Sequence, residues 1–307
     1  MAKFMRKKFY VYGNCQARPL ARALNESKAW RKEYNLAADI IPVHKMDRSN
    51  ISNFHRIIKT VDVFIYQNVS NTYDETLSTE YLLKLLKPSC ESISFPSAFF
   101  KGYNPEIVYI KNKQGQKIPS PTGGYDFLLL HEYLTQNKKV STFHMNYGKL
   151  NYLSTSFLDE YLGITINELN QREEKLNIRV VRFIEDNWSS SQLFHTVNHP
   201  ANKLLFYLAN EILKFLKFPL LTKQESSKEY EFQGWSKIPL YRDIVDRKKL
   251  NNYNDKVFIA RKQSNIETYV NEQVKIYDQI DKEILCKNYE KFIENDKVIG
   301  SLYSSIV

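Results

Sequence analysis

Cys15 and His199 are the residues of this chain best suited, by type and neighbours, to nucleophilic chemistry. Cys15 lies in Gly13-Asn14-Cys15-Gln16, where the apolar run Phe9-Tyr10-Val11-Tyr12 gives way to a helix-like segment. A side chain at such a turn stands at the carboxyl end of a sheet, where open α/β sheets bind ligands. The unpaired N–H groups that open the next helix favour a thiolate there. A nucleophilic thiol also needs a base and donors for the developing oxyanion. His199, held between Asn198 and Pro200 ahead of an amphipathic helix, is the base this chain offers. Pro200 suits the first helical position, which puts His199 at or near the N-cap. The N–H after the Cys15 turn is one candidate oxyanion donor; Gln67 or Asn68, after a later strand, is the other.

Each assignment competes with a plainer one. A lone cysteine is often a small buried hydrophobe, His199 can simply cap a helix, and Gln67 and Asn68 can be turn formers. His195 and His199 have the spacing of helical zinc ligands, but Pro200 breaks any helix through both, and no metal site is expected. His44, His55, His131 and His144 carry no partner motif and read as surface or core histidines. Phe95-Pro96 and Phe99-Phe100 read as core or pocket wall. Trp188 and Trp235 read as packing residues ahead of sugar-stacking platforms.

The elements that must position these residues alternate. Strand-like runs cover Lys8-Tyr12, Asp39-Val43, Val61-Tyr66 and Ser92-Phe95, and helix-like segments cover Gln16 to about Tyr34, Ile51-Lys59 and Thr76-Leu86. This alternation predicts βαβ units and a parallel sheet, an α/β fold with its strand ends on one edge. Lys113 to Gly124, rich in Gly and Pro, reads as a loop or hairpin. Phe127-Leu134 and Phe157-Leu176 read as helices, and Val140-Met145 as a last strand. An amphipathic helix follows Pro200 and closes at Phe218-Pro219. The spacing from Ile266 to Ile293 predicts a long helix or a helix pair. Residues 1–219 are therefore expected to form the α/β catalytic domain, and 220–307 a mainly helical extension.

The chain has 307 residues with 43% hydrophobic and 25% charged, enough for a sizeable core. Its formal charge is +10, and the first 33 residues carry nine Lys or Arg against Glu26 and Glu33. A basic region beside the Cys15 turn draws phosphorylated ligands, and a basic face can meet an anionic membrane surface. No nucleic-acid motif accompanies it. The three cysteines are scattered and match no metal spacing, which fits a reducing compartment. No apolar run reaches the roughly 20 residues of a membrane span, and Phe9-Tyr12 is too short for a signal core. A cytoplasmic protein, working in part at the inner face of the membrane, is expected.

The layout resembles the SGNH hydrolase fold, with Gly13-Asn14-Cys15 in place of the usual Gly-Asp-Ser. A closer resemblance is to the WcbI family of polysaccharide biosynthesis proteins, carried by Gly13-Asn14-Cys15-Gln16-Ala17, Asp62 to Gln67, Ser94-Phe95-Pro96 and the Thr196, Asn198-His199-Pro200 turn. These segments spread over roughly residues 8–217; the tail after about 220 is not covered. The resemblance implies a coenzyme A ligand and transfer of an acyl group, acetyl first among them, from an acyl-CoA donor to a capsular or surface polysaccharide or its sugar precursor. With that ligand, Cys15, His199, Gln67 and Asn68 are the candidates for catalysis, and Gly13, Asn14, Gln16, Arg18, Arg22 and Asn198 the candidates to surround coenzyme A. The helix opening after Cys15 suits the phosphates, with Arg18 and Arg22 one turn apart on a single face. One departure stands out: SGNH hydrolases carry Asp three residues before the His, where this chain has Thr196. Glu185, Asp186 or a backbone carbonyl is left to orient the imidazole, and the pattern also suits a Cys–His dyad or His199 as base on a sugar hydroxyl. A cysteine esterase or thioesterase on the same fold is the alternative function, and a non-catalytic nucleotide- or polyanion-binding module a third.

Overall fold

A computed structural model describes residues 6–135, 153–250 and 257–304. The expected strand at Val140-Met145, and His144 within it, lie outside the described residues. The chain divides into two compact units. The first comprises Met1–Ala98, Leu169–Glu185 and Pro200–Gln233; the second comprises Phe99–Glu168, Asp186–His199 and Gly234–Val307.

The first unit is built on a four-stranded parallel sheet of β1 (Lys7–Tyr12), β2 (Tyr34–Leu36), β3 (Val63–Tyr66) and β4 (Glu91–Ser94), in the order β2-β1-β3-β4. Phe9, Tyr10, Val11 and Tyr12 are all buried, so β1 is covered on both faces, as a continuous apolar run in a parallel sheet requires. Tyr12 lies opposite Tyr66, and Tyr66 opposite Ser94, which brings three strands to one carboxyl edge. Because β2 lies on one side of β1 and β3 on the other, the chain reverses its winding between β1 and β3. In such sheets ligands bind at the point of reversal.

Helices α1 (Ala17–Glu26), α2 (Lys28–Glu33), α3 (Ile51–Ile58) and α4 (Thr79–Leu85) connect the strands. The single helix expected from Gln16 to about Tyr34 is in fact two. Ser27 is extended and its hydroxyl accepts the Trp30 N–H at 3.2 Å, which ends α1 and caps α2. The expected strand at Asp39-Val43 is also displaced. Tyr34, stacked on Trp30 with centroids 4.2 Å apart, begins β2 directly after α2. Pro42 lacks a ladder donor, and Val43–Lys45 turns helically, with the Val43 N–H donating to the Gly13 carbonyl at 3.0 Å. The helix Asn202–Phe215 packs against α1 and buries Leu204, Leu205, Leu208, Ile212 and Leu213.

The second unit holds short strands and helices. Ile107–Val108 pairs antiparallel with Tyr125–Asp126, and Lys111 bridges Lys117, so the Gly- and Pro-rich stretch is a hairpin-like loop. The helix Phe127–Thr135 follows. Val257–Ile259 and Lys262–Ser264 form an antiparallel hairpin, and the C-terminal region is helical over Ile266–Tyr277, Lys282–Asn295 and Lys297–Ser304. The periodicity from Ile266 to Ile293 is thus a helix pair, capped by Asn265 and Asp281. No helix of the described residues is long and apolar enough to cross a membrane.

Candidate active site

The Cys15 loop leaves β1 through Gly13, whose φ of +155° is one that side chains rarely adopt. The loop is tied to the ends of β3 and β4 by two buried amides. Gln67 accepts the Asn14 N–H at 2.8 Å, and its Nε2 donates to Gln16 Oε1 at 3.1 Å and to the Pro96 carbonyl at 3.2 Å. Gln16 donates to the Ala98 carbonyl at 2.6 Å and accepts the Ala98 N–H at 3.0 Å. Asn14 closes the turn on itself: its side-chain oxygen accepts the Gln16 N–H at 2.8 Å, and its amide donates to Ser97 Oγ at 2.8 Å. Asn14, Gln16 and Gln67 are therefore one hydrogen-bonded cluster around the cysteine, at the carboxyl edge where the sheet order reverses.

Both amide hydrogens of Gln67 have acceptors, so this residue acts as a strut that holds the loop. Asn68 is exposed beside it. A Cβ at Gly13 would run into the Gln67 amide. Gly13→Ala is expected to lower stability by about 1–3 kcal/mol through backbone strain alone, read as a reduced urea midpoint. An unchanged midpoint would mean that the loop relaxes freely.

Cys15 is half-buried, and burial raises its thiol above the usual range. Hydrogen bonds from its own N–H and from Gln233, and the charge of Lys45, pull the other way with smaller effect. The resting group is a thiol, which corrects the expectation of a thiolate: α1 begins two residues later, at Ala17, and desolvation outweighs the nearby positive ends. Gln233 Nε2 donates to the Cys15 carbonyl at 3.3 Å, while its buried Oε1 has no partner among the described residues. No sequence pattern marked Gln233; it comes from the polar stretch after residue 220. Its signal is spatial, a fully buried amide with one end unsatisfied.

Arg18 and Arg22 are both exposed on α1. Arg18 Nε donates to the Ile40 carbonyl at 3.2 Å, and Arg22 lines a separate cavity at the β2 edge.

In the second unit, His199 is buried, in tilted contact with the Trp235 ring at 5.1 Å. Burial, with a smaller push from His195, lowers its pKa to about 4, so the imidazole is neutral at physiological pH. Its Nδ1 has no hydrogen-bond partner among the described residues. Thr196, which stands where an orienting Asp was sought, donates instead to Asn198 Oδ1 at 3.1 Å. The expected placement of His199 at a helix N-cap is corrected. His199–Pro200 is a short strand and Ala201 is the cap, because the residue before a proline is driven out of the helical region. Trp188 is partly exposed, and its carbonyl accepts the Tyr103 hydroxyl at 2.5 Å. His55 and His131 contact the Thr76 carbonyl and the Tyr289 hydroxyl, at 2.9 and 2.7 Å.

A parallel α/β sheet with a braced cysteine loop at its switch-point edge is the architecture of the open-sheet α/β proteins, which bind ligands at the carboxyl ends of their strands. The chain belongs to the WcbI family of polysaccharide biosynthesis enzymes, whose model matches residues 8–221. A solved structure of WcbI, a polysaccharide biosynthesis enzyme, is 23% identical with a TM-score of 0.83, covering 97% of this chain and 98% of its own, and it shares the fold. That structure is described as the native protein without a disulfide bond between coenzyme A and a cysteine. No curated protein matches the chain.

Proposed function

We propose that this chain is a CoA-dependent O-acyltransferase. It moves an acyl group, acetyl in the simplest case, from acyl-CoA to a hydroxyl of a capsular or surface polysaccharide or its precursor. The observation that carries the reading is the position of Cys15: a half-buried thiol, braced at the switch-point edge of the sheet, with its own N–H beside the sulfur. The related WcbI structure is described as lacking a disulfide bond between coenzyme A and a cysteine, a description that links coenzyme A to a cysteine in that protein and supports the same pairing with Cys15 here. In the reaction, the Cys15 sulfur gives up its proton and attacks the thioester carbonyl. The carbon–sulfur bond to CoA breaks, and CoA leaves as the thiol. The acceptor hydroxyl then attacks the acyl-cysteine, loses its proton, and restores the Cys15 thiol. The Cys15 N–H is the proposed donor to the oxyanion, with Gln233 orienting the reacting groups. His199, uncharged at neutral pH, is proposed as the proton acceptor.

Coenzyme A at about 100 times its Kd is expected to add about 2.7 kcal/mol of stability, visible as a rise in melting temperature. Radiolabelled acetyl-CoA then tests the chemistry through an acetyl adduct on Cys15 and label in the acceptor glycan. Acetate released without acceptor would make the protein a thioesterase. No stabilisation by millimolar CoA would overturn both readings.

A further inference from the structure

An open cavity of about 600 Å³ lies along the edge strand β2 of the first unit, lined by Arg6, Arg22, Arg31, Glu26, Tyr34 and Tyr230 among others. Its size is that of a small-molecule site. The one acid in this lining, Glu26, is neutralised by Lys228, whose Nζ stands 2.5 Å from its carboxylate. Among the described residues no carboxylate pairs with Arg6, Arg22 or Arg31; Arg6 is held by a hydrogen bond to the Arg31 carbonyl at 2.8 Å. Three guanidinium groups thus meet at one opening without their counter-charge, and exposed Tyr230 and buried Phe232 supply aromatic walls.

We infer that this cavity binds a phosphate-bearing small molecule, a phosphorylated saccharide being the class that fits both arginines and aromatic walls. Guanidinium forks match phosphate oxygens two at a time, and three of them balance a diphosphate. The site is separate from the Cys15 loop. Arg6 precedes β1 and Cys15 follows it, and six extended residues span about 20 Å. Aromatic faces beside a cationic floor suit a sugar ring next to its phosphate.

The test is calorimetric titration of the full chain with inorganic pyrophosphate and, separately, with coenzyme A. The Arg6→Gln/Arg31→Gln double variant is expected to bind pyrophosphate about tenfold or more weakly, with coenzyme A affinity unchanged. Arg31→Gln alone, at an exposed side chain, gives the same reading if the double variant is unstable. Equal pyrophosphate affinity in variant and parent, or no binding to the parent at millimolar concentration, overturns the inference. A parallel loss of coenzyme A affinity also overturns it, because the arginines would then belong to the coenzyme A site.

Discussion

Replacing Cys15 with alanine is expected to slow acyl transfer from acetyl-CoA by about 10³-fold or more, with the fold retained. The substitution removes one sulfur atom from a half-buried position and leaves intact the contacts of Asn14, Gln16 and Gln67 that hold the loop. Stability should therefore change little while the covalent route closes. The burst of free CoA expected without acceptor should vanish, and so should the acetyl adduct. Because burial keeps the sulfur protonated at rest, the parent enzyme should gain rate with pH until the thiol ionises. The alanine variant should lose that dependence. Full transfer activity in Cys15→Ala would sink the acyl-enzyme and leave only direct attack of the hydroxyl on the thioester.

Stability is expected to fall by roughly 3 kcal/mol between pH 6.5 and pH 4 on account of His199 alone. Burial holds its pKa near 4 in the folded chain, well below the unfolded value of 6.5. Between these limits the unfolded state binds a proton that the folded state refuses, so acid favours unfolding. Above pH 6.5 both states are neutral and the effect is absent. Glu173 acts in the opposite sense. Its carboxylate accepts the Val180 and Val181 N–H groups, yet burial raises its pKa to about 7. Acidification from pH 7 toward 4.5 therefore favours the folded state at that site. The His199 contribution is isolated by comparing urea unfolding of the parent and His199→Asn at pH 7 and pH 4.5. The gap between the two curves should narrow as the pH falls. Parallel curves would show that His199 ionises as freely folded as unfolded.

Much of the first unit was legible because its signals are local. Phe9-Tyr10-Val11-Tyr12 is continuously apolar, so it reads as a strand covered on both faces. Gly13 ends it where an unusual φ is needed, and Val63–Tyr66 shows the same apolar character. What misled were competitions between local preferences. Ser27 looks like an interior helix residue, yet its hydroxyl serves better as a cap for the next helix. The run at Asp39-Val43 has strand composition, but Tyr34 reaches the edge of β1 first through its stack on Trp30.

Residue types and their order along the chain were enough to set out the strand-turn-helix at Cys15, the parallel sheet, and the helical C-terminal region, since each rests on the periodicity or conformational limits of neighbouring residues. Folding in three dimensions decided the roles. It turned Gln67 into a strut, left Cys15 as a thiol, neutralised His199, and carried Gln233 across 218 residues of chain to the Cys15 carbonyl. Burial and hydrogen-bond partners come from segments distant in the chain, so no local pattern records them.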